Sequence, residues 1–154
     1  MDISINLPLD NDGFLRRECP HCMGYFKWHH GPANEEAEQH TDPDTYYCPL
    51  CGQPAGPDSW WTTEQLEFAQ GAALPAVLTD LENEFGRAFK KSGNRHLRIE
   101  MTGHFDTPDA PSPLSEPDDM AIITSPCHGY EPVKVPEDRA MPFYCLVCGR
   151  AFAI

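Results

Sequence analysis

The sequence predicts an α+β fold in which two small cysteine-rich β lobes flank a central helical segment. Three observations carry this reading. Close cysteine pairs sit near both ends of the 154-residue chain, at Cys19/Cys22, Cys48/Cys51 and Cys145/Cys148. Between them apolar residues recur at helical spacing from Leu66 to Phe89. Elsewhere apolar residues are few, and a lobe of about 40 residues rarely buries enough surface to fold alone. The 16 Pro point to many loops, while a 40% hydrophobic content excludes a wholly disordered chain.

Residues 1–58 form the first expected lobe. It carries Cys19-Pro20-His21-Cys22 and Cys48-Pro49-Leu50-Cys51-Gly52. A two-residue spacer lets both sulfurs of a tight turn face one metal ion. Gly after the second Cys supplies a positive φ and lets backbone N–H groups approach a thiolate. Two such turns supply a complete tetrahedral set for zinc. Disulfides are the competing reading, and they need an oxidising compartment. Residues 1–12 show neither a basic nor an apolar run, so no secretory signal is expected and a cytoplasmic location is. A redox Cys-x-x-Cys normally occurs once, between a strand and a helix, whereas three pairs occur here. Glu35 to Asp44 reads as an acidic loop with few apolar anchors.

Residues 59–105 hold the central helix and a strand. Thr62-x-x-Gln65 is a capping box, with Trp60 and Trp61 expected to staple the start of the helix. Leu66, Ala69 and Ala73 share one face, and Pro75 either kinks the helix or opens a second one. Leu74, Val77, Leu81, Phe85 and Phe89 continue the stripe, which reads as core against the lobes, and Gly93 is a plausible stop. Leu97 to Thr102 alternates as a strand does. Residues 106–119 hold four Pro and five acidic residues without a basic one, an expected linker or extended loop.

Residues 120–154 form the second expected lobe. Met120 to Thr124 reads as a strand leading to Cys127, and Cys145 and Cys148 form the third pair. These three cysteines lack one ligand for a second site. His128, next to Cys127, is the first candidate, His104 is the second, and the alternative is that water or an Asp fills the position. The two lobes also repeat weakly. Tyr47-Cys48-Pro49-Leu50-Cys51-Gly52 matches Tyr144-Cys145-Leu146-Val147-Cys148-Gly149. Gly24-Tyr25-Phe26-Lys27-Trp28 and Gly129 to Val135 both read as a strand leaving a knuckle.

The pattern resembles the zinc-ribbon superfamily, across about residues 16–55 and 120–154. That resemblance implies two knuckles on β-hairpins gripping a structural zinc in each lobe, hence two structural Zn²⁺ and a small metal-stabilised protein. Rubredoxins share the knuckles but bind iron; the long spacer and the missing fourth Cys favour zinc here. The expected ligands are Cys19, Cys22, Cys48 and Cys51 for one ion, and Cys127, His128, Cys145 and Cys148 for the other.

Function is less legible. The formal net charge is −13, and Trp28 to Gly86 contains no Lys or Arg. Such a field repels phosphate backbones, so nucleic acid is not an expected partner. The basic cluster Arg87, Lys90, Lys91, Arg95 and Arg98 reads first as cations complementing a helix C-terminus. No stretch is apolar enough to span a membrane. His29-His30, between two Cys pairs, is similar to zinc-knuckled HNH nucleases. Their following Asn and further His have no counterpart after Cys51, so surface histidines are expected. No nucleotide fingerprint, Walker loop or nucleophile elbow is present, and no catalytic residue is assigned. The expected role is a zinc-binding adaptor or regulatory protein that offers a rigid surface to a protein partner, a basic one being favoured by the acidic charge. The alternatives are a nucleic-acid-associated zinc-ribbon factor and, behind it, a zinc-dependent hydrolase or nuclease.

Overall fold

The computed structural model describes residues 3–92 and 106–154. The elements are β1 (Phe14–Glu18), β2 (Tyr25–His29), α1 (Glu35–Glu38), β3 (Tyr46–Tyr47), β4 (Pro54–Ala55), α2 (Thr63–Ser92), β5 (Met120–Ile123), β6 (Val133–Pro136), β7 (Phe143–Tyr144) and β8 (Ala151–Phe152). Eight short strands and one long helix, with the single turn of α1, make the class α+β among the described residues. The expected strand at Leu97 to Thr102, the Gly93 stop and His104 lie outside the described residues. The chain divides into two compact units, Met1–Asn6 with Glu64–Pro113, and Leu7–Thr63 with Leu114–Ile154.

The second unit is built on one four-stranded antiparallel sheet of order β1-β2-β6-β5. Each cysteine-rich segment contributes one hairpin, and the two hairpins join along β2 and β6. Two further hairpins, β3–β4 and β7–β8, carry the later knuckle of each segment. Alternation along a strand sends successive side chains to opposite faces. Phe26 and Trp28 of β2 therefore enter one face of the sheet with Val133 and Val135 of β6. They form the core with Leu50, Trp60, Ile123, Phe143, Leu146 and Phe152. Trp60 is a fully buried member of this core. Its carbonyl accepts the Glu18 N–H at 3.0 Å, which ties the chain to the end of β1. Its indole then lies edge-on to Phe26 and Trp28.

The same alternation turns Lys27 and Lys134 to the other face, where they are directly opposed across β2 and β6. Like charges in that position repel. Carboxylates resolve the conflict. Asp10 Oδ2 accepts from both ammonium groups, at 3.2 Å from Lys27 and 2.8 Å from Lys134. Glu116 meets Lys27 at 3.0 Å, and Asp12 and Asp118 meet Lys134 at 2.7 and 2.8 Å. The end of the acidic Pro-rich segment is thus an anchored part of this unit, and Arg16 fastens it further to Glu116 and Asp119.

In the first unit α2 runs unbroken through Pro75, whose carbonyl accepts from Thr79 Oγ1 at 3.0 Å. Pro111 of the extended segment packs at Gly71. The stripe expected to be core stays exposed at Leu66, Leu74, Val77, Leu81 and Phe85. It offers about one large apolar side chain per turn, a narrower band than a core-facing helix usually carries. No helix among the described residues is long and apolar enough to cross a membrane. The acidic stretch after β2 is partly ordered as α1, where the Asn34 side chain accepts the Ala37 N–H at 2.9 Å and caps the turn.

Candidate metal centres

A knuckle needs a tight turn that reverses the chain while leaving both sulfurs on the same side. Three turns here share one hydrogen-bond pattern. Cys19 N–H donates to Gly24, Cys48 N–H to Gln53, and Cys145 N–H to Arg150, all near 3.0 Å. The residue after each second Cys has a positive φ: Met23 at 60°, Gly52 at 76° and Gly149 at 73°. Met23 adopts a conformation that usually falls to glycine, and its side chain is 63% exposed at the tip.

The first centre gathers Cys19, Cys22, Cys48 and Cys51, and the second gathers Cys127, His128, Cys145 and Cys148. Within each centre the four ligand atoms lie within 4.8 Å of one another. In the first, Cys19 Sγ is 3.7 Å from Cys51 Sγ, and Cys22 Sγ is 3.9 Å from Cys48 Sγ. Four sulfurs at about 2.3 Å from a tetrahedral ion would stand about 3.8 Å apart. In the second, Cys127 Sγ is 3.4 Å from Cys148 Sγ, and His128 Nδ1 is 3.4 Å from Cys145 Sγ. All eight residues expected from the sequence are brought together, and the adjacent pair Cys127-His128 points both side chains inward.

Backbone dipoles prepare the sulfurs for negative charge. The N–H groups of His21 and Cys22 point at Cys19 Sγ, that of Gly24 at Cys22 Sγ, and that of Leu50 at Cys48 Sγ, all at 3.3–3.4 Å. Burial nevertheless pushes the Cys48 thiol up from its ordinary value, so a buried Cys48 thiolate calls for a cation beside it. In the second centre burial also opposes ionisation of Cys127. Hydrogen bonds with His128, Cys148, Cys145 and Ser125 outweigh it and bring that thiol down to about 6.

Sequence reasoning missed Ser125. Its buried hydroxyl donates to Cys145 Sγ at 3.3 Å and accepts the His128 N–H at 3.2 Å, fixing both ligands from behind. The available signal was a Ser-Pro-Cys-His-Gly turn, which places a small hydroxyl two residues before the ligand. His128 also meets Tyr130 edge-on, and Tyr130 stacks on His40 with centroids 3.9 Å apart.

The two later knuckles interlock. Tyr47 N–H donates to the Leu146 carbonyl at 2.9 Å, and Tyr144 N–H donates to the Pro49 carbonyl at 3.0 Å. A Cβ on Gly52 would fall 2.8 Å from the Tyr144 ring, and one on Gly149 only 2.5 Å from the Tyr47 ring. The repeat seen in the sequence is therefore a reciprocal contact that couples the two centres. Gly149→Ala would add left-handed strain and overpacking together, for an expected loss of about 2–4 kcal/mol. Urea unfolding of the metal-loaded protein measures it, and an unchanged midpoint would reject the interlock.

No protein-family profile, curated protein or solved structure matches the chain. The chain is a metal-binding protein with two four-residue centres whose geometry fits zinc-ribbon-like sites.

Proposed function

We propose that this chain is a zinc-binding adaptor or regulatory protein of the cytoplasm, without enzymatic activity, that presents a rigid surface to a protein partner. The observation that carries the reading is the pair of complete four-ligand sets. An ion held by four protein ligands has no position left for water or substrate, which is the arrangement of structural zinc. Sulfurs 3.7 and 3.9 Å apart in the first centre fit a tetrahedral ion, and the three Cys with one His of the second are an ordinary structural zinc set. Native mass spectrometry of the folded chain is expected to show two zinc ions. A single metal would overturn the count, and iron with its visible charge-transfer absorption would overturn the identity.

A protein partner is favoured over nucleic acid by where the basic side chains go. Arg16, Lys27 and Lys134 are spent on internal carboxylates, and Arg17 is buried between indoles. The first turn of α1 instead offers Glu35, Glu36 and Glu38 at an exposed site, suited to steering a basic surface. With all three changed to Gln, association with a partner captured by the zinc-loaded chain should slow several-fold, and salt should slow the native pair likewise. Rates indifferent to both changes would remove this loop from the interface.

A further inference from the structure

The second unit contains a cavity of about 200 Å³ that neither metal centre uses. Its walls include Arg17, Trp28, His29, Asp42, Tyr46 and Glu131. Arg17 is only 7% exposed. Its guanidinium lies between the rings of Trp28 and Trp61, at 4.2 and 4.8 Å from their centroids. Aromatic faces attract the cation but accept no conventional hydrogen bond from its edge. Nε and Nη1 are both buried without a hydrogen-bond partner among the described residues. Leaving buried donors unmade is costly, and a charged one more so. Burial accordingly draws Arg17 down to about 10, with only the Tyr46 oxygen opposing the shift.

The lining also carries two acids, Asp42 and Glu131. Glu131 is pushed up by burial and by the neighbouring Asp42, while His29 pulls it back. Tyr46, on the same lining, senses both signs: burial and then the charges of Asp42 and Glu131 raise it, and Arg17 lowers it. A simple anion would meet the two carboxylates, and a simple cation would meet Arg17. A molecule carrying both charges satisfies both walls. We propose that this cavity binds a small zwitterion of amino-acid size, its carboxylate accepting from Arg17 and its ammonium facing Asp42 and Glu131. A volume below the usual range for drug-sized ligands limits the occupant to that scale.

The test titrates the full zinc-loaded chain with glycine, β-alanine and γ-aminobutyrate, which differ in charge separation, and with acetate and methylammonium as the separate halves. Trp28 and Trp61 flank Arg17, so tryptophan emission reads occupancy. At least one zwitterion should saturate, at least tenfold more tightly than either half. Arg17→Gln and Glu131→Gln should each weaken it tenfold or more. Glu131→Gln leaves the indole–guanidinium stack in place and keeps the test decisive if Arg17→Gln fails to fold. Acetate or methylammonium binding as tightly as the best zwitterion would overturn the proposal. So would affinity unchanged in Glu131→Gln, or no saturation by any of the five compounds.

Discussion

Removing metal with a strong chelator should unfold the sheet unit, and Cys48→Ser should do so without a chelator. Structural zinc contributes about 10–16 kcal/mol of apparent free energy in small domains, and a whole domain is usually stable by only about 5–15 kcal/mol. One lost centre is therefore enough. Cys48 is the sharper position because it is fully buried, packed in the core cluster beside Phe26, Leu50 and Trp60, whereas Cys22 is exposed. The reciprocal contacts of Tyr47 and Tyr144 should carry the damage from the first centre to the second. Tryptophan emission is the proper reporter, since Trp28 and Trp60 are buried in this unit while α2 belongs almost wholly to the other. A red shift that reverses on adding Zn²⁺ is the expected result. Native emission in both the chelated protein and Cys48→Ser would mean that the centres are peripheral to stability.

The centres were legible because their chemistry is local. A Cys-x-x-Cys turn needs nothing from the rest of the chain to aim two sulfurs at one point, and the repeated Tyr-Cys-x-x-Cys-Gly already implied two similar turns. His128 was legible from adjacency to Cys127. Its support by Ser125 was missed, because a Ser-Pro turn ahead of a ligand does not say which way the hydroxyl turns. The helix was legible from its period, but not the exposure of Leu74, Val77 and Leu81, because periodicity gives a face without giving what covers it. Trp60 beside Trp61 suggested a staple by position alone. The hydrogen bond from Glu18 is a contact across 42 residues, which no local pattern encodes. The acidic Pro-rich stretch read as a linker or an extended loop, and composition alone cannot reveal that its carboxylates meet Lys27 and Lys134. A hint was a Lys between two apolar residues in each strand, Phe26-Lys27-Trp28 and Val133-Lys134-Val135.

Asp10→Asn should be the most damaging change away from the metal centres, at about 3–5 kcal/mol, the range for breaking a buried ion pair from one side. The side chain is fully buried, and its Oδ2 serves two lysines that face each other across β2 and β6. Its Oδ1 also accepts the N–H groups of Asp12 and Phe14 at 3.0 Å each, closing the turn before β1. An amide can keep the Oδ1 role but brings no charge between two ammonium groups. Burial opposes ionisation of Asp10, and the bonds from Lys134, Phe14, Asp12 and Lys27 overcome it, lowering the carboxyl from 3.8 to about 2. A depressed carboxylate contributes fully above its unfolded value and loses that contribution as pH falls from about 4 towards 2. The amount is about 2 kcal/mol. Acid also protonates metal-binding thiolates, so the cleaner measurement is a double-mutant cycle in urea at neutral pH with Lys134→Met. Removing the second ammonium relieves the repulsion that Asp10 screens, so the double variant should regain about 1–3 kcal/mol relative to the sum of the single losses. Strictly additive losses would show that Asp10 acts through its turn alone and that the opposed lysines are held by Glu116, Asp118 and Asp12 without it.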